Sequence, residues 1–346
     1  MAVIAQEITG RYAAYNGDAV EVLPELSEKS VHVSIYSPPF AELYNYSSSE
    51  RDLSNCATYE EFLQHYQFVV EQISRLTIPG RVSCVHCMDL RRPGGKGGVR
   101  DFPGDIIRMY ERAGFYYTGR HVIWKEPLRA AIKTRALGLR HGQLVKDSSK
   151  SHVAGADYLL VFRRDGENPV PITHAEGLTY YAGSTPLPES LIARFGNGWQ
   201  DQQTNRLSQL IWQRYASAVW MDIRVRRVVE FRGGRDSEDE KHICPLQLDV
   251  IERCLTLYSN PGEVVLTPFM GVGSEVCGSL QYGRLAVGVE LKRSYYDQAI
   301  ANIHRFIEAP VGLDLFAQNE PDNDIGEDGT EEVEEDVVEE CDGPSA

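Results

Sequence analysis

Ser37-Pro38-Pro39-Phe40 sets a hydroxyl, carbonyls beside absent N–H donors, and an aromatic face in four consecutive residues. Proline has no backbone N–H and holds φ at about −65°. It also pushes the residue before it, Ser37, into an extended conformation. The result is a rigid shelf of acceptors next to a ring face. Such a shelf can grip a planar ring that carries an amino group. An exocyclic amine on that ring is a poor nucleophile, because its lone pair is delocalised. Two acceptors aimed at its hydrogens favour a pyramidal nitrogen and free the pair. Ser37 Oγ and the Pro38 carbonyl are the candidate acceptors, with Pro39 stiffening the shelf and Phe40 stacked on the ring. A plain strand-ending turn would have the same residues, so the run needs a second motif beside it.

That second motif is Thr267-Pro268-Phe269-Met270-Gly271-Val272-Gly273-Ser274. It lies in a unit, residues 263–290, that reads strand, glycine loop, helix, strand, acid. Glycines let a backbone approach a ligand closely, and a helix N-terminus adds positive partial charge. Glu290 ends the second strand about 20 residues after the loop, where a carboxylate can take both hydroxyls of a ribose. Gly271-x-Gly273 alone also fits NAD enzymes or an ordinary βαβ turn.

The elements that must position these residues follow from periodicity. Val31–Tyr36 is an apolar run that reads as a buried strand. Residues 12–26 read as a strand, Gly17-Asp18, and a short helix. Residues 58–78 carry Phe62, Tyr66, Val69, Val70, Ile73 and Leu76 at helical spacing, and Pro79-Gly80 closes that helix. Arg81–Met88, Tyr116–Trp124 and Ala156–Arg163 read as strands, with a glycine-rich loop over 91–104 and a helix over 106–113. Residues 165–240 break the pattern and read as an irregular insertion with a helix near 205–220. Order returns with a helix over 245–259, strands over 263–266 and 285–290, and helices over 274–282 and 294–307. Alternating strands and helices predict an α/β fold with a central, mostly parallel sheet. The predicted units are 1–164, 165–240, 241–311 and a disordered acidic tail, 312–346.

The net charge of −15 is concentrated at one end. Beyond Gly312 there are 14 acidic residues and no Lys or Arg, so the rest of the chain is close to neutral. Two basic stretches stand out. One holds Lys125, Arg129, Lys133, Arg135, Arg140, Lys146 and Lys150. The other holds Arg206, Arg214, Arg224, Arg226, Arg227, Arg232 and Arg235. Such clusters suit phosphate contacts or a solvated face of ion pairs. The longest apolar runs are shorter than a membrane span, and MAVIAQEITG has no signal-peptide pattern. Seven scattered cysteines read as reduced thiols in a cytoplasmic protein. Cys84-x-x-Cys87 with His86 has no second pair at metal spacing, so no metal is expected. Gly94-Gly95-Lys96-Gly97-Gly98 lacks the Gly-Lys-Ser/Thr ending of a phosphate loop.

Together, the segments at roughly 15–50 and 240–305 resemble the S-adenosylmethionine-dependent DNA amino-methyltransferases, which modify N4 of cytosine or N6 of adenine. In particular they resemble the permuted group with the catalytic motif first. The resemblance implies a Rossmann-like methyltransferase fold, S-adenosyl-L-methionine as cofactor and double-stranded DNA as partner, with a restriction nuclease as cognate partner in some systems. It implies that Thr267, Phe269, Gly271, Gly273 and Glu290 hold the cofactor, with Asp18 near its adenine and His242 in an upstream cofactor motif. Thr267 stands where the family usually has Asp or Ser. Residues 165–240 correspond to a target-recognition region. A base inside a duplex must be flipped out to reach the shelf. Trp124 would form the opposite wall, with Lys125, Arg129, Lys133, Arg135, Arg224, Arg226 and Arg227 on the DNA. Ser at the first shelf position leans towards cytosine. An RNA methyltransferase and an inactive DNA-binding or DNA-mimicking protein on the same fold stay open as alternatives.

Overall fold

The computed structural model describes residues 3–39, 56, 58–91, 98–127, 137–139, 141–234 and 244–308. The acidic tail, Phe40, Arg129, Lys133, Arg135 and His242 therefore lie outside the described residues. In chain order the strands are β1 (Val3–Ile8), β2 (Tyr12–Gly17), β3 (Val31–Tyr36), β4 (Thr77–Met88), β5 (Leu90–Arg91), β6 (Val99–Arg100), β7 (Phe115–Ile123), β8 (Asp157–Arg164), β9 (Val219–Trp220), β10 (Val264–Thr267) and β11 (Leu285–Glu290). The helices are α1 (Ala19–Val22), α2 (Tyr59–Leu76), α3 (Phe102–Arg112), α4 (His141–Asp147), α5 (Glu189–Phe195), α6 (Arg206–Ala216), α7 (Leu248–Tyr258), α8 (Ser274–Gln281) and α9 (Arg293–Glu308). None of them is long and apolar enough to cross a membrane among the described residues.

Nine strands form one sheet in the order β1-β2-β11-β10-β3-β4-β8-β7-β9. The central five, β2, β11, β10, β3 and β4, are mutually parallel. Their carboxyl ends therefore share one edge of the sheet. β8 runs antiparallel to both β4 and β7, so it begins on that same edge, with Asp157 opposite Met88 and Ile123. β10 lies directly beside β3, although more than 200 residues separate them in the chain.

Both faces of the sheet are covered. α7, α8 and α9 pack on one face around Val250, Ile251, Cys254, Val276, Cys277, Ala299 and Ile303. α1, α2 and α3 pack on the other around Phe62, Tyr66, Val69, Ile73, Ile106 and Tyr110. The spacing of apolar residues in α2 explains this: all six residues singled out by period are buried. Thr58 caps the helix by accepting from Glu61 N at 3.1 Å, with Glu at the third position as in a capping box. Thr77 Oγ1 closes it by donating to the Ile73 carbonyl at 2.7 Å.

Two local readings are corrected and one element is added. β4 starts at Thr77, so Pro79-Gly80 lies inside a strand instead of ending the helix. A register shift between Val31 and Val33 absorbs the irregularity, as bulges do. Gly80 adopts φ 76° there, where a Cβ would meet the Asn168 backbone. Second, the arms of the glycine-rich loop pair as the hairpin β5–β6. Third, Val3–Ile8, which lacks a helical or strand signal of its own, adds an antiparallel edge strand.

Residues 165–234 contain two α-helices, α5 and α6, which enclose a small core of Leu178, Tyr181, Phe195, Leu207, Ile211 and Tyr215. This region is tied to the main body in two ways. β9 extends the sheet beside β7. Arg253 of α7 reaches into it, donating to the Ala182 carbonyl at 2.7 Å and to Asp222 at 2.8 Å.

Candidate active site

The site is built where β3, β10 and β4 end. Below it, a chain of buried hydroxyls fixes the end of β3. Tyr36 OH lies 2.7 Å from both Tyr66 OH and Tyr110 OH. Tyr110 OH is in turn 2.9 Å from Ser83 Oγ, which lies 2.6 Å from Ser34 Oγ. Buried hydroxyls without partners are costly, so a completed chain of them holds α2, α3, β3 and β4 in one arrangement. Burial pushes all three phenols well above their usual range. Ser37-Pro38-Pro39 leaves this anchored strand with Pro38 buried and Ser37 and Pro39 half-buried.

The glycine turn meets the shelf directly. Phe269 packs its ring 5.8 Å from Tyr36, the residue before Ser37, and 6.2 Å from Tyr66. Phe269 is thus a packing link between the two motifs. Gly271 and Gly273 adopt φ of 54° and 91°, a region closed to most side chains. A Cβ on Gly271 would meet nothing within 4 Å, whereas one on Gly273 would press on Ala299 at 3.1 Å. So Gly273 lets α8 approach α9, and Gly271 faces open space.

Glu290, at the end of β11, accepts from Gly271 N at 2.8 Å through one oxygen and from Lys292 N at 2.8 Å through the other. A carboxylate oxygen can accept more than one hydrogen bond, so these contacts do not exhaust its capacity. The sequence alone does not show Asn16, which is fully buried and donates to the carbonyls of Glu290 and Leu291 at 2.9 and 3.0 Å. It pins the end of β11 to the end of β2. Asp18 caps α1, accepting from Val20 N at 2.9 Å. Thr267 is 1% exposed, and its Oγ1 has no partner among the described residues. A buried hydroxyl without a partner at the mouth of a glycine turn fits a missing polar ligand. Glu275, in the first turn of α8, is also buried. Burial, reinforced by the Glu290 charge, pushes its carboxyl up to about 8.

On the other side of the shelf stand residues that neither motif contains. Ser37 Oγ lies 3.0 Å from His86 Nδ1. His86 Nε2 lies 3.2 Å from Asp157 Oδ2. The other Asp157 oxygen accepts from Lys125 Nζ at 2.5 Å. Burial alone would raise the Asp157 carboxyl, but its neighbours His86 and Lys125 outweigh that and hold it at about 2. The alternation of β4 supplies the signal that could have found His86. Residues i and i+2 share a face, and His86 is the last polar side chain before the strand reaches the shelf edge.

The predicted DNA residues divide. Trp124 is 45% exposed beside the site, with its backbone N–H donating to the Trp220 carbonyl at 3.0 Å. Arg226 is exposed. Three of them have acidic partners within the chain. The Lys125 ammonium is engaged by Asp157. Arg224 forks onto Asp249 through Nε and Nη2 at 3.0 and 2.7 Å. Arg227 is buried between Asp249 and Glu252. Arg224 and Arg227 neutralise carboxylates that α7 carries into the interior, and of these two only Arg224 keeps a third of its side chain exposed.

Comparison with known proteins gives the same picture. A family model described as DNA methylase matches residues 31–301. The type II methyltransferase M.MjaI of Methanocaldococcus jannaschii is 23% identical over 312 residues, which cover 83% of this chain and 89% of that protein. The type II methyltransferase M1.MboII of Moraxella bovis is 23% identical over 283 residues, covering 81% and 91%. TTHA0409 of Thermus thermophilus, solved in complex with S-adenosyl-L-methionine, shares the fold at a TM-score of 0.56 and 22% identity, covering 87% of this chain and 98% of that one. The cytosine-N4-specific PvuII DNA methyltransferase shares it at 0.56 and 14%, covering 88% and 89%. The fold is therefore the Rossmann-like methyltransferase fold, with S-adenosyl-L-methionine as the cofactor. Matched along most of its length, the chain belongs to the N6/N4 DNA methylase family.

Proposed function

We propose that this protein methylates an exocyclic amine, N4 of cytosine or N6 of adenine, on a base flipped out of double-stranded DNA. When bound, the cofactor supplies a methyl group already activated on a sulfonium. What the chain must add is position. Ser37 Oγ and the Pro38 carbonyl accept the two amine hydrogens and turn the nitrogen's lone pair towards the methyl. Phe40 stacks on the base. Gly271 gives the cofactor close backbone approach, and the Glu290 carboxylate takes its ribose hydroxyls. No strong base is needed, because a methylated ammonium is acidic. Much of the acceleration then comes from holding the two reactants in line.

The observation that carries this reading is the contact between the two motifs. Phe269 of the glycine turn packs on Tyr36, and Tyr36 leads into Ser37. The two motifs thus meet at one sheet edge, as transfer from a methyl held by one to an amine held by the other requires. Serine at the first shelf position favours cytosine. Transfer of tritiated methyl groups from the cofactor to unmethylated duplex DNA tests the proposal. Labelling is expected, with 4-methylcytosine in the digested product. Ser37→Ala should lower the rate by about 100-fold or more, since it removes a transition-state acceptor. Label in RNA but not DNA, or tight DNA binding without any label, would replace this reading with another.

A further inference from the structure

We propose that His86 is a positioning residue that fixes the direction of the Ser37 O–H bond, so that serine meets the target amine only as an acceptor. The inference rests on the proposed role of Ser37.

A serine hydroxyl has one hydrogen and two lone pairs. If it rotates freely, it can offer that hydrogen to the incoming base. A hydrogen aimed at an amine hydrogen repels it, and one aimed at a ring acceptor holds the base in a different register. An acceptor-only oxygen requires the hydrogen to be held elsewhere. The group placed to hold it is Nδ1 of His86, 3.0 Å from Oγ. Nδ1 can hold the hydrogen only if it is the bare nitrogen of a neutral ring. Which nitrogen is bare depends on what the other one faces.

Here the other nitrogen, Nε2, lies 3.2 Å from Asp157 Oδ2, at ion-pair distance but without the alignment of a hydrogen bond. A carboxylate accepts and has no hydrogen to give. Asp157 is 4% exposed, and its second oxygen is already engaged by Lys125. That pairing keeps the carboxyl ionised, with its remaining oxygen close to the ring. In a neutral imidazole the charge of the nearby carboxylate favours the hydrogen on Nε2, which leaves Nδ1 bare. Lys125 fixes Asp157, Asp157 fixes the ring, and the ring fixes Ser37. The four groups come from three strand ends, those of β3, β4 and β7, and from the start of β8. Antiparallel β8 brings Asp157 to the edge where the others finish. His86 itself is 9% exposed and sits behind the shelf, so it acts through Ser37 and not on the base.

Two near-isosteric substitutions separate this role from simple packing. The amide of His86→Asn puts an oxygen near the position of Nδ1 and can accept from Ser37. The longer His86→Gln puts its amide near Nε2 and leaves Ser37 without that acceptor. Single-turnover methylation of duplex DNA should place Asn within about threefold of the parent enzyme and Gln about 10- to 100-fold below it, the loss of one well-placed hydrogen bond. KM for DNA should move less than kcat in both. Cofactor affinity, read by calorimetry, should be unchanged in both. Equal rates for Asn and Gln, whether both high or both low, would overturn the role. The two readings fail separately. If Ser37→Ala retains full activity, Ser37 is not the acceptor. If Ser37→Ala is inactive and the two His86 variants match, only the role of His86 falls.

Discussion

Glu275 stands in the first turn of α8 with 4% of its surface exposed. A helix N-terminus favours a charged carboxylate, but burial outweighs that here and moves the carboxyl from 4.5 up to about 8. The sign of the consequence follows. A raised acid binds its proton more tightly when folded. The stability this gives is complete below pH 4.5 and is lost as pH rises towards 8. Across that window one group contributes at most roughly 1.4 kcal/mol per pH unit. Glu275→Gln keeps the shape and removes the titration. Urea unfolding at pH 5, 6.5 and 8 should show the parent losing stability relative to the variant by a few kcal/mol in total. Parallel pH profiles would mean that the carboxyl ionises normally in the fold. Nothing in the residue's own position in the sequence marks it as buried. A glutamate at a helix start is ordinarily a solvated cap, and only the packing of α8 between the sheet and α9 removes it from water.

At the scale of elements, α7 carries Asp249, Glu252 and Arg253 into the interior, each nearly or fully buried. Arg227 answers the first two, and Asp222 answers Arg253. Arg227→Ala would leave Glu252 without its cation in a place where burial already raises its carboxyl. Removing one partner of a buried ion pair costs about 3–5 kcal/mol, less where the remaining acid can take up a proton. The variant should therefore unfold about 2–4 kcal/mol more easily in urea while its DNA affinity keeps the same salt slope. A slope reduced by about one, with stability intact, would return Arg227 to the phosphates. Long-range pairing of this kind is what a sequence hides. Apolar runs, periodicity and turn residues locate β2, β3, α2, α8 and β11 to within a residue or two. The clustering of Arg224, Arg226 and Arg227 resembles a basic patch because the acidic partners of Arg224 and Arg227 lie more than 20 residues downstream on another element. The link from Ser37 to His86 and Asp157 is hidden for the same reason. The shelf and the glycine turn are legible as chemistry, and their surroundings depend on which strands become neighbours.

At the scale of the whole molecule, the order of the sheet closes the chain on itself: β2 near one end pairs with β11 near the other, with Ala286 opposite Tyr12. α9 follows β11 from the active edge and runs back along the sheet for about 24 Å. Thirty-eight residues follow Glu308. Fully extended, they could span about 130 Å at most, so their length alone permits a return to the active edge. They carry nearly all of the net charge of −15. The rest of the chain, near neutral overall, must approach a polyanion with the basic groups that α7 does not claim. If the segment of 14 acidic residues folds back on those groups, its attachment to the same molecule lets it compete with DNA at a high effective concentration. The competition is between exposed charges, so salt must weaken it, since the screening length falls from about 10 Å at 0.1 M to about 3 Å at 1 M. Deleting residues 313–346 should therefore tighten DNA binding at low salt and steepen its salt dependence, with the two proteins converging as salt rises. Superimposable binding curves at every salt concentration would show that the acidic segment leaves DNA binding unchanged.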